Sequence, residues 1–217
     1  MSSNINLEKN IYDEISENAD YKIGVEYLLK NDLENAFESF TKAYEKLNKE
    51  DRLRNSEEFC QFLLLFSDLS INKENRNNDD KRISIIQEAI EILKRLKLEE
   101  SKLYADCLHG LAVSYSWKYE NSNDENEKSE FFDRSYELLK ESRSLYEKLD
   151  LKSRIIRCIE LEQNLSFISK DFKKSIDLNE LELKMLLSDF RMQEFSERVS
   201  RTLQIAEIYL HIGDSNG

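Results

Sequence analysis

The sequence predicts an all-α protein built from stacked antiparallel helical hairpins. The 217-residue chain contains no proline and only four glycines. The turns that bound strands and βαβ crossovers therefore lack their usual residues, whereas long helices lose nothing. Apolar residues also recur at helical spacing in one segment after another. Polar breaks separate these segments, and their short lengths are typical of antiparallel helical hairpins.

The breaks divide the chain into about nine helices. The first helix is predicted from apolar residues four positions apart: Ile11, Ile15, Ala19, Ile23 and Tyr27. The breaks fall at residues 30–32, 48–51, 72–80, 97–100, 121–128, 150–152, 169–171 and 188–190. We therefore expect one helical array over residues 11–214, with about four and a half repeats. Residues 1–10 are expected to be a flexible N-terminus and residues 215–217 a tail.

The first predicted hairpin has small residues where two helix backbones must approach each other. Tight helix pairs need a small residue at the crossing and large residues in the groove beside it. Gly24 meets this need on one helix, and Ala36 and Ala43 meet it on the next. We predict the closest contact at Gly24 and Ala36. The large side chains expected to fill the space between the helices are Ile23, Tyr27, Leu33 and Phe40.

This spacing resembles the tetratricopeptide repeat. The residue types that the family prefers stand at Gly24, Tyr27, Ala36, Phe40 and Ala43, although Asp20 replaces the family's aromatic residue. Weaker echoes follow at Ala89, Leu93 and Leu96, at Ser135, Leu139 and Ser142, and at Ala206, Tyr209 and Gly213. A degenerate repeat begins near residue 152, with Ser175 followed by Asn179. The resemblance implies a right-handed superhelix that presents a concave surface to a protein partner.

Composition and motifs argue against an enzyme. The only histidines are His109 and His211, and no glycine-rich loop could cradle a phosphate. The cysteines, Cys60, Cys107 and Cys158, lie far apart without metal or disulfide-exchange spacing, so they are interpreted as reduced core thiols. We therefore predict no cofactor and no metal.

The charge balance favours a basic partner. The chain has 44 acidic and 32 basic residues, which gives a formal charge of −12. This charge would repel nucleic acid, since no basic patch is segregated. No signal peptide is recognisable, and the longest apolar run, residues 62–66, is too short to span a bilayer. We expect a soluble intracellular protein, in the nucleus or cytoplasm, without membrane insertion.

Two further patterns concern the partner. Many tetratricopeptide proteins clamp a chaperone C-terminus with a lysine and an asparagine, but Tyr21 and Val25 stand at those positions, which argues against a heat-shock co-chaperone. Residues 89–109 are similar to the modified repeat of the nuclear autoantigenic sperm protein family of histone chaperones. The shared residues are Ala89, Ile92, Leu93, Lys94, Arg95, Leu103, Tyr104, Ala105 and His109.

That family interrupts one repeat with an acidic insertion, and this chain has "ENSNDENEKSE" between a helix ending near Tyr119 and one starting near Phe131. The resemblance implies a histone chaperone for H3–H4. The partner-binding residues would lie in a flexible loop and are Glu120, Asp124, Glu125, Glu127 and Glu130. The alternatives are a spacer loop on a generic peptide-binding scaffold, or a vesicle-fusion adaptor resembling the soluble attachment proteins. The half-repeat at 205–214 lacks a partner helix, which predicts contact with a further segment, the preceding hairpin or a second copy.

Overall fold

A computed structural model describes residues 14–69 and 79–188 of the chain. Within these residues all regular secondary structure is helical, which confirms the all-α prediction. Residues 14–17 form a first helical turn. The helices that follow are α1 (Ala19–Leu29), α2 (Leu33–Leu47), α3 (Asp51–Arg54), α4 (Glu57–Leu69), α5 (Asp79–Arg95), α6 (Lys102–Asn121), α7 (Glu125–Lys148), α8 (Lys152–Ile168) and α9 (Phe172–Ser188).

The helices pack as a series of hairpins. Four pairs make the main contacts: α1 with α2, α4 with α5, α6 with α7, and α8 with α9. Adjacent hairpins stack through α2 on α4, α5 on α6 and α7 on α8. Helix α6 also contacts α4 and α8, so the first helices of these three hairpins lie side by side. Stacked helical hairpins are thus confirmed, and they place α6 and α7 at the centre of the array.

Four of the helix ends share one turn geometry. Each has a non-glycine residue with φ between 53° and 66°, and these residues are Asn31, Lys97, Asp150 and Lys170. In each turn the next N–H donates to the carbonyl five residues earlier, at 2.8–3.0 Å. This is the Schellman motif, in which glycine is the usual residue. The breaks predicted at 30–32, 97–100, 150–152 and 169–171 are therefore confirmed, and they use asparagine, aspartate and lysine instead.

The first apolar series was predicted as one continuous helix face, and that prediction is wrong. The side chain of Asn18 accepts hydrogen bonds from the N–H groups of the next helix, so it caps α1 and separates it from residues 14–17. Ile15 is buried, but Ala19 is exposed. The side of α1 that faces the core instead carries Tyr21, Gly24, Val25, Tyr27 and Leu28. Ile11 lies outside the described residues.

The first hairpin has its tight crossing at Gly24, but the partner is Phe40 rather than Ala36. A Cβ atom built on Gly24 would lie 3.0 Å from the Phe40 ring, closer than packed side chains approach. Ala36 is fully buried, as predicted. Ile23 and Leu33 are each 44% exposed, so the prediction that they fill the interface is wrong. Since successive helical residues are rotated by about 100°, Ile23 points away when Gly24 faces the partner helix.

The three cysteines are buried and unbridged, as predicted. Burial raises the pKa of the Cys60 thiol to about 12 and that of Cys158 to about 11. It also raises the pKa of Cys107. All three are therefore thiols at neutral pH and lack the thiolate that reactive cysteines need.

Some predictions were incomplete or cannot be compared with the structure. The last residue of the break predicted at 48–51 is the first residue of the short helix α3, which the sequence did not suggest. Residues 1–10, 205–214 and 215–217, with most of the break at 72–80, lie outside the described residues. Within the described part of the chain, no helix is both long and apolar enough to cross a membrane.

Candidate protein-interaction surface

The acidic segment between α6 and α7 is helical over most of its length. Helix α6 continues to Asn121 and α7 begins at Glu125, so residues 122–124 alone connect them. The predicted flexible loop from Tyr119 to Phe131 is therefore wrong. Most of its acidic side chains stand on helical turns.

Local chemistry explains why α7 begins at this point. The carboxylate of Asp124 accepts hydrogen bonds from the N–H groups of Asn126 and Glu127, at 2.8 and 3.4 Å. It thereby caps the helix. Glu125 and Glu127 occupy the first turn, where negative charge is stabilised by the helix dipole. The Ser122 hydroxyl also donates to the Glu127 carboxylate at 2.9 Å. The acids that suggested disorder instead stabilise the helix start.

The predicted partner-binding residues lie together at this end of the α6–α7 hairpin, and all of them are exposed. Glu120 is in the last turn of α6, Asp124 is the cap of α7, and the other three lie on α7. Asp133 and Glu137 extend the set along α7. We call these seven carboxylates the acidic end of the hairpin: Glu120, Asp124, Glu125, Glu127, Glu130, Asp133 and Glu137. The cations in the same stretch are Lys128 and Arg134.

Part of the acidic end forms a groove of about 580 Å³ between α6 and α7. The residues lining this α6–α7 groove are Tyr115, Asn126, Ser129, Glu130, Asp133, Arg134 and Glu137. One wall is therefore a stripe of α7 in which residues 126, 130, 133 and 137 follow helical spacing. On the α6 side the groove is lined by Tyr115. The groove contains Glu130 but none of the other four predicted residues.

Sequence reasoning missed Tyr115, Asp133 and Glu137. The spacing of Glu130, Asp133 and Glu137 is a helical signal that becomes visible once α7 is known to begin at Glu125. No signal in the sequence places Tyr115 opposite them, because it lies on another helix.

Two carboxylates of the groove are available to a partner. Among the described residues, Glu130 and Asp133 make no hydrogen bond or ion pair with another side chain. Arg134 lies 3.7 Å from the Glu137 carboxylate, and both side chains are at least half exposed. Such an exposed pair contributes little and is readily exchanged for another partner.

One aromatic ring next to the groove, that of Phe131, already holds a cation. The ring centroids of Tyr115 and Phe131 lie 6.2 Å apart. The ammonium of Lys118 lies 4.9 Å from the Phe131 centroid, which is within the range of a cation–π interaction. Lys118 also pairs with Asp80 of α5. A positive charge is therefore already accommodated on the ring that neighbours Tyr115.

A second groove, of about 480 Å³ between α4 and α6, is less suited to a charged partner. Two of its three carboxylates, Asp68 and Asp106, are already paired within the protein, and the third, Glu57, is exposed. Asp68 accepts from Arg82 at 3.1 Å. Asp106 accepts from Lys102 at 3.0 Å and from the Tyr146 hydroxyl at 2.8 Å. These contacts join α4 to α5 and α6 to α7, so their main role is to hold the array together.

Half-buried His109 on α6 has the surroundings of a structural residue. Burial lowers the pKa of its imidazole, so the ring is neutral at pH 7. Its Nε2 atom is buried and has no hydrogen-bond partner among the described residues. Among all the residues that the structure describes, no group of three His, Cys, Asp or Glu side chains is arranged to hold a metal ion.

Comparison with known proteins adds no family assignment. The chain matches no protein-family model and no curated protein sequence. The resemblances to tetratricopeptide repeats and to the histone chaperone family therefore rest on the residues quoted above and stay predictions.

Proposed function

We propose that this protein is a non-enzymatic helical-repeat module that binds a basic protein segment through the acidic end of the α6–α7 hairpin. The observation that carries the proposal is the excess of carboxylates over cations on an exposed helical surface that includes a groove. Concentrated negative charge attracts basic partners and speeds their association. A helix also presents these charges in fixed positions, which a flexible loop would not do.

The histone pair H3–H4 is the partner that we propose to test first. The reason is the similarity of residues 89–109 to the modified repeat of the histone chaperone family. These residues run from the end of α5 through the turn into α6, the helix that leads directly into the acidic end. A basic, aggregation-prone client also suits a protein whose net charge is −12.

The first experiment measures H3–H4 binding to the full chain by calorimetry at rising salt concentration. Screening lengths fall from roughly 10 Å at 0.1 M to 3 Å at 1 M. We expect affinity to decrease steeply over this range if the acidic end supplies the attraction. Binding that does not change with salt would contradict the proposed electrostatic interface.

A matched pair of variants tests the location of the interface. The test variant combines Glu130→Gln, Asp133→Asn and Glu137→Gln on α7. The control variant combines Glu34→Gln, Glu38→Gln and Glu45→Gln, which removes the same charge from exposed positions on α2. We expect about a tenfold loss of affinity for the test variant, equivalent to about 1.4 kcal/mol, and less than a twofold loss for the control.

Three results would change the proposal. Equal losses for both variants would mean that net charge, and not the acidic end, attracts the partner. Binding to other basic proteins with no preference for H3–H4 would favour a generic scaffold. Absence of binding to any basic protein would overturn the proposed function.

A further inference from the structure

We propose that the α6–α7 groove is an anchoring pocket for an arginine side chain of the partner. In this arrangement the guanidinium stacks on the ring of Tyr115 and donates hydrogen bonds to the carboxylates of Glu130 and Asp133. The inference rests on the proposed function and specifies which chemical group of a basic partner the groove recognises.

The size of the groove fits a short extended segment. Its α7 wall runs from Asn126 to Glu137, a rise of about 16 Å along the helix. An extended chain covers about 3.3 Å per residue, so about five residues of a partner can lie along this wall. A side chain from such a segment can reach into the space between the wall and Tyr115.

The groups in the groove match a guanidinium better than other ligands. Guanidinium is planar, stacks on aromatic faces and forms forked hydrogen bonds with carboxylates, whereas an ammonium is a compact point charge. Glu130 and Asp133 have no ionic partner among the described residues, so a bound arginine need displace no existing contact. The same carboxylates repel phosphate, which excludes nucleic acid at this position.

The protein itself contains the same arrangement. Arg82 of α5 is buried, and its guanidinium carbon lies 5.1 Å from the centroid of the Trp117 ring. Its nitrogens donate to the Asp68 carboxylate at 3.1 Å and to the Ser114 hydroxyl at 2.8 Å. An aromatic ring, a carboxylate and a serine hydroxyl therefore hold one arginine inside this fold.

The α6–α7 groove presents the same three kinds of group. Tyr115 corresponds to the aromatic ring, Glu130 and Asp133 to the carboxylate, and Ser129 to the hydroxyl. These groups face the exterior. The chain's own Arg134 also lines the groove, but its guanidinium pairs with Glu137 at 3.7 Å and not with Glu130 or Asp133. A guanidinium from a partner would complete the arrangement.

The first test uses the unaltered full chain and three labelled peptides. In one peptide arginines alternate with glycines, and in the others lysine or the neutral isostere citrulline replaces each arginine. Fluorescence anisotropy should give an affinity three- to tenfold higher for arginine than for lysine, with no measurable binding of the citrulline peptide. Equal affinity for arginine and lysine would overturn the anchor.

The second test changes the ring opposite the carboxylates. Tyr115→Leu should weaken binding of the arginine peptide three- to fivefold, because the aromatic face is lost, whereas Tyr115→Phe should retain the wild-type affinity. Tyr27→Leu is the matched control, since Tyr27 is also a half-buried tyrosine with a nearby lysine ammonium but lies on α1. Circular dichroism should verify that each variant remains helical.

The outcomes separate this inference from the proposed function. If H3–H4 affinity falls in the Glu130, Asp133 and Glu137 variant while Tyr115→Leu has no effect, the acidic interface stands and the arginine anchor is overturned. If no basic protein binds the unaltered chain, the proposed function is overturned. If Tyr115→Leu loses its helical structure, the comparison of arginine, lysine and citrulline peptides still tests the arginine anchor.

Discussion

The first and last hairpins of the described chain place opposite chemistry at equivalent interface positions. In α1–α2 four buried interface residues follow one another along the sequence at intervals of twelve, four and three positions. They are Gly24, Ala36, Phe40 and Ala43. The same spacing in α8–α9 selects Gln163, Ser175, Asn179 and Glu182, and all four are buried. One helix-pair geometry thus accommodates an apolar and a polar interface.

The difference shows that the spacing of the interface residues and their apolar content affect separate properties of a hairpin, namely its connection and its stability. The short Schellman turns at Asn31 and Lys170 fix the same hairpin connection in both pairs. The polar interface, however, leaves Ser175 Oγ, Asn179 Oδ1 and Gln163 Oε1 buried without a hydrogen-bond partner in the described residues. Because an unpaired buried polar atom costs free energy, we expect α8–α9 to be the less stable hairpin.

The hairpin α6–α7 has both a polar and an apolar residue at the equivalent interface positions. It places Ser135 at the position of Ala36 and Ser175, but the Ser135 hydroxyl donates to the carbonyl of Ala112 at 2.7 Å. Leu139 follows at the position of Phe40 and is buried. A polar interface residue is therefore tolerated where a backbone acceptor lies within reach.

The largest expected effect comes from removing the aromatic residue of the first hairpin. Phe40→Ala should lower the free energy of unfolding by about 3 to 5 kcal/mol, because Phe40 is fully buried against Gly24 and two further aromatic rings. Urea denaturation monitored by circular dichroism measures the change. A loss below about 1 kcal/mol would show that the apolar interface contributes less than its burial indicates.

Gly24→Leu should have the next largest effect. The added side chain meets the Phe40 ring at its first carbon, so overpacking should cost about 1 to 3 kcal/mol. The double variant with Phe40→Leu should recover part of this loss, since the two residues are in contact. Fully additive losses in denaturant unfolding would contradict the direct contact at the crossing.

Asn179→Leu converts the polar interface toward the apolar one. Asn179 is fully buried, its amide nitrogen donates to the Ser175 carbonyl, and its Oδ1 atom is unpaired. Replacing it with a side chain of similar size should raise the free energy of unfolding by about 1 kcal/mol. A loss of stability in thermal unfolding would show that the polar interface is better satisfied than its described contacts indicate.

The smallest effects on stability are expected from glycine substitutions in the turns of the first and last hairpins. Lys170→Gly should stabilise the protein by about 0.5 to 1 kcal/mol, because lysine is strained at positive φ. Asn31→Gly should stabilise it by only a few tenths, since asparagine tolerates this conformation. Paired chemical denaturation curves measure both. An equal gain at both turns would remove this distinction between the hairpins.

The sequence by itself determined the helices and most of the hairpin turns, because these depend on local contacts. Asn31 accepts positive φ and Asp32 caps the next helix, and both tendencies are properties of a few adjacent residues. The start of α7 was equally local, but the density of charge after Tyr119 was interpreted as disorder, although Asp124 and the acids beside it favour a helix start.

Only the tertiary structure decided which face of each helix is buried and which side chains meet across helices. Ile23 and Gly24 are adjacent in sequence, yet the rotation of α1 against α2 exposes one and buries the other. Tyr115 lines one groove with carboxylates of α7 for the same reason, since its helix is fixed by packing against α5 and α7. Helical rotation is set by the sum of distant contacts, which local spacing does not specify.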